Sequence, residues 1–235
     1  MRRVPPTLLV LSGALLLFTG LLTVVLLDRG PTTFDAMVLR ALEQWRSPAR
    51  NELVGHLTDL GGRHFMIPFC TALVLFVLWC SRRAGVFLGA SLLGSAILNE
   101  ALKNGVGRPR PTIVAMVEHP TGLSFPSGHS QSTAALVVAS LLLLWTWRPQ
   151  WGGRVLVLLA VPLMVGWTRS YLGVHYPTDV LGGWSLGTAW VIVCWTWYRR
   201  RELGPFAEEA VSGSLRSSES EPAAPDSDGV ARPPG

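Results

Sequence analysis

Six apolar runs frame what this chain can be: residues 8–27, 65–80, 84–102, 132–147, 155–172 and 180–198. A helix crosses ~30 Å of hydrocarbon in about 20 residues. The expected fold is therefore all-α: a polytopic membrane protein with six transmembrane helices. The second and fourth runs hold only 16 residues each, so snorkelling flanks or local thinning of the bilayer are expected there. The first run follows Met1-Arg2-Arg3, and no small-x-small cleavage site precedes Asp28-Arg29-Gly30-Pro31; it reads as a retained helix.

Arginine placement orients the bundle. With the N-terminus inside, the inner segments carry nine arginines (2, 3, 82, 83, 148, 154, 199, 200 and 201) and the outer ones five (29, 40, 46, 50 and 63), apart from the candidate site. That asymmetry predicts both termini in the cytoplasm. Trp79, Trp145, Trp147, Trp151, Trp195 and Trp197 fall at the same inner level, as an interfacial belt would. The net charge of +5 comes mostly from this arginine collar, which suits anionic headgroups and argues against nucleic acid as a partner. Cys70, Cys80 and Cys194 all lie in spans, so no disulfide framework or thiolate metal site is expected. From residue 204 the chain is rich in Ser, Pro, Glu and Asp, too polar to form a core. Residues 1–203 therefore read as the membrane domain and 204–235 as a disordered cytoplasmic tail.

The first outer loop, 28–64, carries Phe34, Met37, Val38, Ala41, Leu42 and Trp45 at helical spacing, then Leu53, His56, Leu57 and Leu60. One or two short amphipathic helices on the outer surface are expected, capping the bundle without a direct catalytic part. Residues 84–102 are dotted with Gly85, Gly89, Ser91, Gly94 and Ser95, a pattern that lets helices approach closely.

Chemistry gathers in three loops that the topology brings to one face. The first reads Lys103-Asn-Gly-Val-Gly-Arg108-Pro-Arg110-Pro111, with the sole lysine of the chain and prolines that stiffen the arginines' presentation. A rigid cluster of cations is what a phosphate requires. The second, Ser124-Phe-Pro126-Ser127-Gly128-His129, precedes the fourth run. Ser127 and Gly128 would offer free amides at a helix start, an anion site in itself, with His129 at the opening. The third is Arg169-Ser-Tyr-Leu-Gly-Val-His175-Tyr-Pro177-Thr-Asp179, expected as a turn. Pro177 would start the last helix, leaving Asp179 to reach back to a ring nitrogen of His175. A His/His/Asp set can also hold a metal. Three neighbouring cations would repel one, so no metal is expected and a phosphoryl group fits better.

Lys103-x6-Arg110-Pro111, Pro126-Ser127-Gly128-His129 and Arg169-x5-His175-x3-Asp179 resemble the three signature motifs of the type 2 phosphatidic acid phosphatase superfamily of membrane lipid phosphatases. The motif resemblance covers about residues 103–179 and departs at Thr168, where the family usually has serine. It implies a cofactor-free hydrolase whose partners are membrane lipids and a lipid phosphate or diphosphate substrate, such as undecaprenyl diphosphate, phosphatidylglycerophosphate or phosphatidate. His175 would be the nucleophile, Asp179 its orienting carboxylate and His129 the acid and then base. Lys103, Arg110, Arg169, Ser127 and Gly128 would bind phosphate, with Arg108 an auxiliary contact. A non-hydrolytic lipid-phosphate binder or transporter, a lipid phosphotransferase and a haloperoxidase-like activity stay open beside it. Oligomeric state is not readable from the sequence.

Overall fold

The computed structural model describes the backbone of residues 5–219 and the side chains of residues 5–199. Every regular element among them is helical: α1 (Pro6–Leu27), α2 (Thr33–Glu43), α3 (Pro48–Asp59), α4 (Arg63–Cys80), α5 (Arg82–Val106), α6 (Gly128–Trp147), a 3-10 segment (Pro149–Leu159), α7 (Ala160–Tyr171) and α8 (Pro177–Glu219). Six segments are long and apolar enough to span a bilayer, and the chain is a multi-pass membrane protein of the expected class.

The two runs that looked short are longer as helices. Helix α4 has 18 residues because Arg63 and His64 join its first turn. Helix α6 has 20 because Gly128, His129, Ser130 and Gln131 are helical before the apolar residues begin. Polar residues at a helix opening carry no hydropathy signal, yet their backbone continues the ladder. The fifth span is divided: Gly152 (φ 49°, ψ −130°) kinks the 3-10 segment ahead of α7. Arg169 also differs from expectation, lying in the last turn of α7 and not in a loop.

Helices α5, α6, α7 and α8 pack around the site. Gly183 and Gly187 of α8 face the backbone of α6. A methyl group at Gly183 would lie 2.6 Å from the Ser127 carbonyl oxygen, and one at Gly187 would lie 2.7 Å from that of Gln131. Only hydrogen permits this approach, which brings the helix carrying Asp179 against the one carrying His129. Helix α5 is tied to α6 by buried amides: Asn99 Nδ2 donates to Gln131 Oε1 (2.7 Å), and Gln131 Nε2 donates to the Ser95 carbonyl (2.7 Å) and Oγ (3.0 Å). Farther along, the core is apolar, with Phe87, Leu88, Ala139, Leu143, Val191 and Trp195 in one cluster. Trp195 is therefore a core residue stacked on Tyr198, not a member of the exposed belt formed by Trp79, Trp145, Trp147, Trp151 and Trp197.

Helices α2 and α3 form as expected, but the face turned inward is not the apolar stripe. Met37 and Phe34 are exposed, while Asp35 and Leu39 are wholly buried. An element bordered by lipid on one side and a polar site on the other can turn its apolar side outward. The compact membrane unit ends at Tyr198. Where a structureless tail was expected from 204, the helix is described to Glu219; Ala207, Glu208, Glu209 and Ala210 are good helix formers. Residues 220–235 of that expected tail lie outside the described residues.

Candidate active site

A cavity of about 560 Å³ opens at the end of the bundle where the three motifs meet. Lys103 reaches it from α5, Gly128 and His129 from the start of α6, Arg169 from the last turn of α7, and Arg110 and His175 from the connecting loops. Six of the eight candidate residues thus line one space. Ser95, Asn99, Gln131 and Ser132 add polar groups, and Gly61, Met66, Ile67, Ala96 and Pro120 form an apolar wall.

Ser127 and Asp179 lie behind the wall. Ser127 is buried, and its amide is already used, donating to the Asp179 carbonyl at 3.0 Å. It therefore caps the junction of α6 and α8 and does not offer a free amide to an anion. Gly128 remains a lining residue. Asp179 is also fully buried. Arg108 Nη1 donates to its Oδ1 (2.6 Å), while the Tyr176 amide (2.8 Å) and the Ser124 hydroxyl donate to Oδ2. His175 Nδ1 stands 3.5 Å from Asp179 Oδ2, within ion-pair range but without hydrogen-bond geometry.

His175 is 2% exposed and turns Nε2 toward the cavity cations, 3.3 Å from Arg110 Nη1. Burial lowers its pKa to about 4, against the pull of Asp179 and with further lowering by Arg169 and Arg110. The ring is neutral at pH 7, and a neutral Nε2 facing cations keeps its lone pair. Arg110 is held by three carbonyl oxygens, those of Val174 (2.8 Å), Gly122 (3.0 Å) and Thr121 (3.2 Å). Burial and the nearby Arg169 lower its pKa, but a guanidinium stays charged. The stiff presentation expected from the prolines is achieved mainly by these carbonyls.

Arg169 donates from Nη1 to Thr58 Oγ1 (2.9 Å) and Glu118 Oε2 (3.3 Å), while its buried Nε makes no hydrogen bond among the described residues. Thr168, the departure from the family pattern, donates to Thr58 Oγ1 at 3.0 Å, so its hydroxyl supports the partner of Arg169. The His129 ring packs at Gly61, where a methyl group would sit 3.2 Å from Cδ2. The α3–α4 corner therefore borders the site, which its sequence did not signal.

Arg108 departs furthest from its expected place. It is wholly buried and does not line this cavity: besides Asp179 it donates from Nη2 to Asp35 Oδ2 (3.0 Å) and from Nη1 to Thr178 Oγ1 (2.7 Å), over the Tyr176 ring. The position expected of an auxiliary phosphate contact, on the cavity lining, is not the one it takes. Asp35 was missed altogether; its only sequence signal is the capping box it forms with Thr32.

The family model of the PAP2 superfamily matches residues 84–203. The chain belongs to the PAP2 superfamily. It is 31% identical to phosphatidylglycerophosphatase B of Bacillus subtilis over 179 residues, 74% of this chain and 88% of that one. With undecaprenyl-diphosphatase of Sulfolobus acidocaldarius it shares 29% identity, covering 67% of this chain and 75% of that one. A crystal structure of a transmembrane PAP2-type phosphatidylglycerolphosphate phosphatase from Bacillus subtilis superposes with a TM-score of 0.70 at 26% identity, covering 81% of this chain and 96% of that one. The chain is a phosphatase. Its PAP2 match spans all eight candidate residues, while α1–α4, with Asp35, Thr58 and Gly61, lie before it.

Proposed function

We propose that this PAP2 phosphatase hydrolyses a lipid phosphate or lipid diphosphate through a phosphohistidine, without a metal, at the outer membrane face. The observation that carries the reading is the shared cavity, where neutral His175 presents Nε2 beside Arg110, and Lys103, Arg169 and His129 line the same space. Phosphorus binds with its oxygens on the three cations. Arg169 Nε is a donor without a partner among the described residues, and Gly128 leaves room close to Lys103. His175 Nε2 attacks in line; the N–P bond forms as the P–O bond to the lipid breaks, and protonated His129 gives its proton to the leaving oxygen. His129, now neutral, takes a proton from water, whose oxygen attacks phosphorus as the P–N bond breaks. Asp179 acts through charge, favouring the positive ring of the intermediate.

The nine-to-five arginine asymmetry supports cytoplasmic termini, which puts the cavity end outside. The named relatives support undecaprenyl diphosphate or phosphatidylglycerophosphate as substrate, with phosphatidate the third choice. The test is phosphate release from these three lipids, with EDTA present, by wild type and His175→Ala. Release by wild type that vanishes in the variant is the expected result. Undiminished release by the variant overturns the phosphohistidine, and release that EDTA abolishes overturns metal independence.

A further inference from the structure

Helix α2 lies outside the segment matched by the family model, yet it sends a carboxylate into the support of the site. Asp35 is wholly buried and receives four donors, one of them from its own cap. Thr178 gives its amide to Oδ1 (2.9 Å) and its hydroxyl to Oδ2 (2.8 Å), Arg108 gives Nη2 (3.0 Å) and the Thr32 amide completes the set (3.1 Å). Since Arg108 Nη1 is simultaneously on Asp179, one guanidinium joins two buried carboxylates. Two negative charges and one positive leave a net charge of −1. Without Asp35 the remaining Arg108–Asp179 pair would be neutral, and Asp179 would have little charge to offer His175 when its ring becomes positive.

We infer that Asp35 is a positioning residue for the phosphatase reaction, its carboxylate balancing Arg108 so that Asp179 keeps a net negative charge facing His175. The inference rests on the reading of His175 as nucleophile. Arg108 is the bridge, and its placement within the first motif holds α2 and the 28–32 turn in place as well, through the Arg29 and Gly30 carbonyls (3.3 and 2.8 Å). The role assigned to the outer loop changes accordingly: it completes the electrostatics of the dyad and does not merely cover the bundle.

The groups facing His175 are Asp179 on α8, Arg110 from the loop after α5, Arg169 on α7 with Glu118 on its far side, His129 on α6, and Lys103 with Glu100 on α5. Neither substitution removes any of these charges, and only Asp179 among them bonds Arg108 directly, so a shift is assigned to the triad of charges. The experiment compares wild type, Asp35→Asn and the double variant Asp35→Asn/Arg108→Gln on one lipid phosphate in detergent. Asp35→Asn is expected to lower kcat about tenfold at nearly unchanged KM, one pK unit of interaction being a factor of ten. The double variant has Asp179 alone, again −1, and is expected to recover most of that loss. A packing role predicts the reverse, a double variant worse than the single, and that result overturns the inference. Should Asp35→Asn not fold, Arg108→Gln alone carries the test. Its added negative charge is expected to move the acid limb of kcat/KM upward from about pH 4. A limb that stays or falls overturns the inference. Failure of the underlying reading is distinct: there His175→Ala would keep its turnover.

Discussion

The two ends of the bundle are built from opposite materials. At the cavity end the buried residues include Asp35, Ser124, Arg108, Arg169, His175 and Asp179. At the other end, Phe87 packs edge-on to Trp195 at 5.4 Å between centroids, among Leu88, Leu143 and Ile192. The difference teaches where specificity and tolerance lie. In lipid, apolar side chains have no water to escape, so the second region is held by close packing and its losses are graded. The first is held by charges whose partners become uncompensated when one is removed. A cavity that must accept a phosphate has no choice but to assemble cations, and the structure surrounds them with carbonyls, hydroxyls and carboxylates.

Breaking the charged end should give the largest effect. Asp179→Asn keeps the shape but removes the charge that Arg108, Ser124 and Tyr176 hold in place. We expect kcat to fall by about 10³-fold or more, as when a histidine loses its orienting carboxylate, and stability to fall by roughly 3 kcal/mol, since a buried pair has lost one member. Turnover in single-turnover assays and unfolding in detergent would check both. An active variant would mean that the 3.5 Å contact between His175 and Asp179 has no catalytic weight.

The charged end should also be the pH-sensitive one. Burial depresses His175 to about 4, from the 6.5 of the unfolded chain. Between these values the unfolded chain binds a proton that the folded one does not, so the contribution is complete above pH 6.5 and is lost as pH falls to about 4. For catalysis, kcat/KM should hold to below pH 5 and then fall tenfold per unit near pH 4 as Nε2 takes up its proton. A pH–rate profile with an acid limb near 6.5 would show that His175 is not depressed in the free enzyme.

Legibility from the sequence followed the same division. Span number, the order of the motifs and the gathering of Lys103, Arg110, His129, Arg169 and His175 were readable because topology alone puts these helix ends and connecting loops at one end. The burial of Arg108 beside the exposed cavity position of Arg110 was not. Two arginines on either side of one proline look alike until α2 and α8 supply carboxylates to one of them. Ser127 failed as an amide donor for a related reason: its N–H is consumed by the Asp179 carbonyl, 52 positions away in number and adjacent only in the fold. Asp35 reads locally as a helix cap, and nothing local separates a cap from a buried counter-charge. Long-range pairing of polar groups is where sequence reasoning stops, because the signal lies in neither residue by itself.

The apolar end should give the smallest effect, which makes it the control for the comparison. Phe87→Ala removes a ring that contacts Trp195 and Tyr198 and is wholly buried. In a water-soluble core this substitution costs about 3–5 kcal/mol. Part of that is transfer from water, which does not arise for a side chain that stays within lipid or its neighbours after unfolding in the bilayer. Only the lost packing remains, so we expect about 2 kcal/mol by unfolding in detergent or bilayer, with turnover per folded molecule unchanged. A kcat loss comparable with that of Asp179→Asn, in protein that remains folded, would mean that the two ends are mechanically coupled and that the apolar helices hold the site as directly as the ions do.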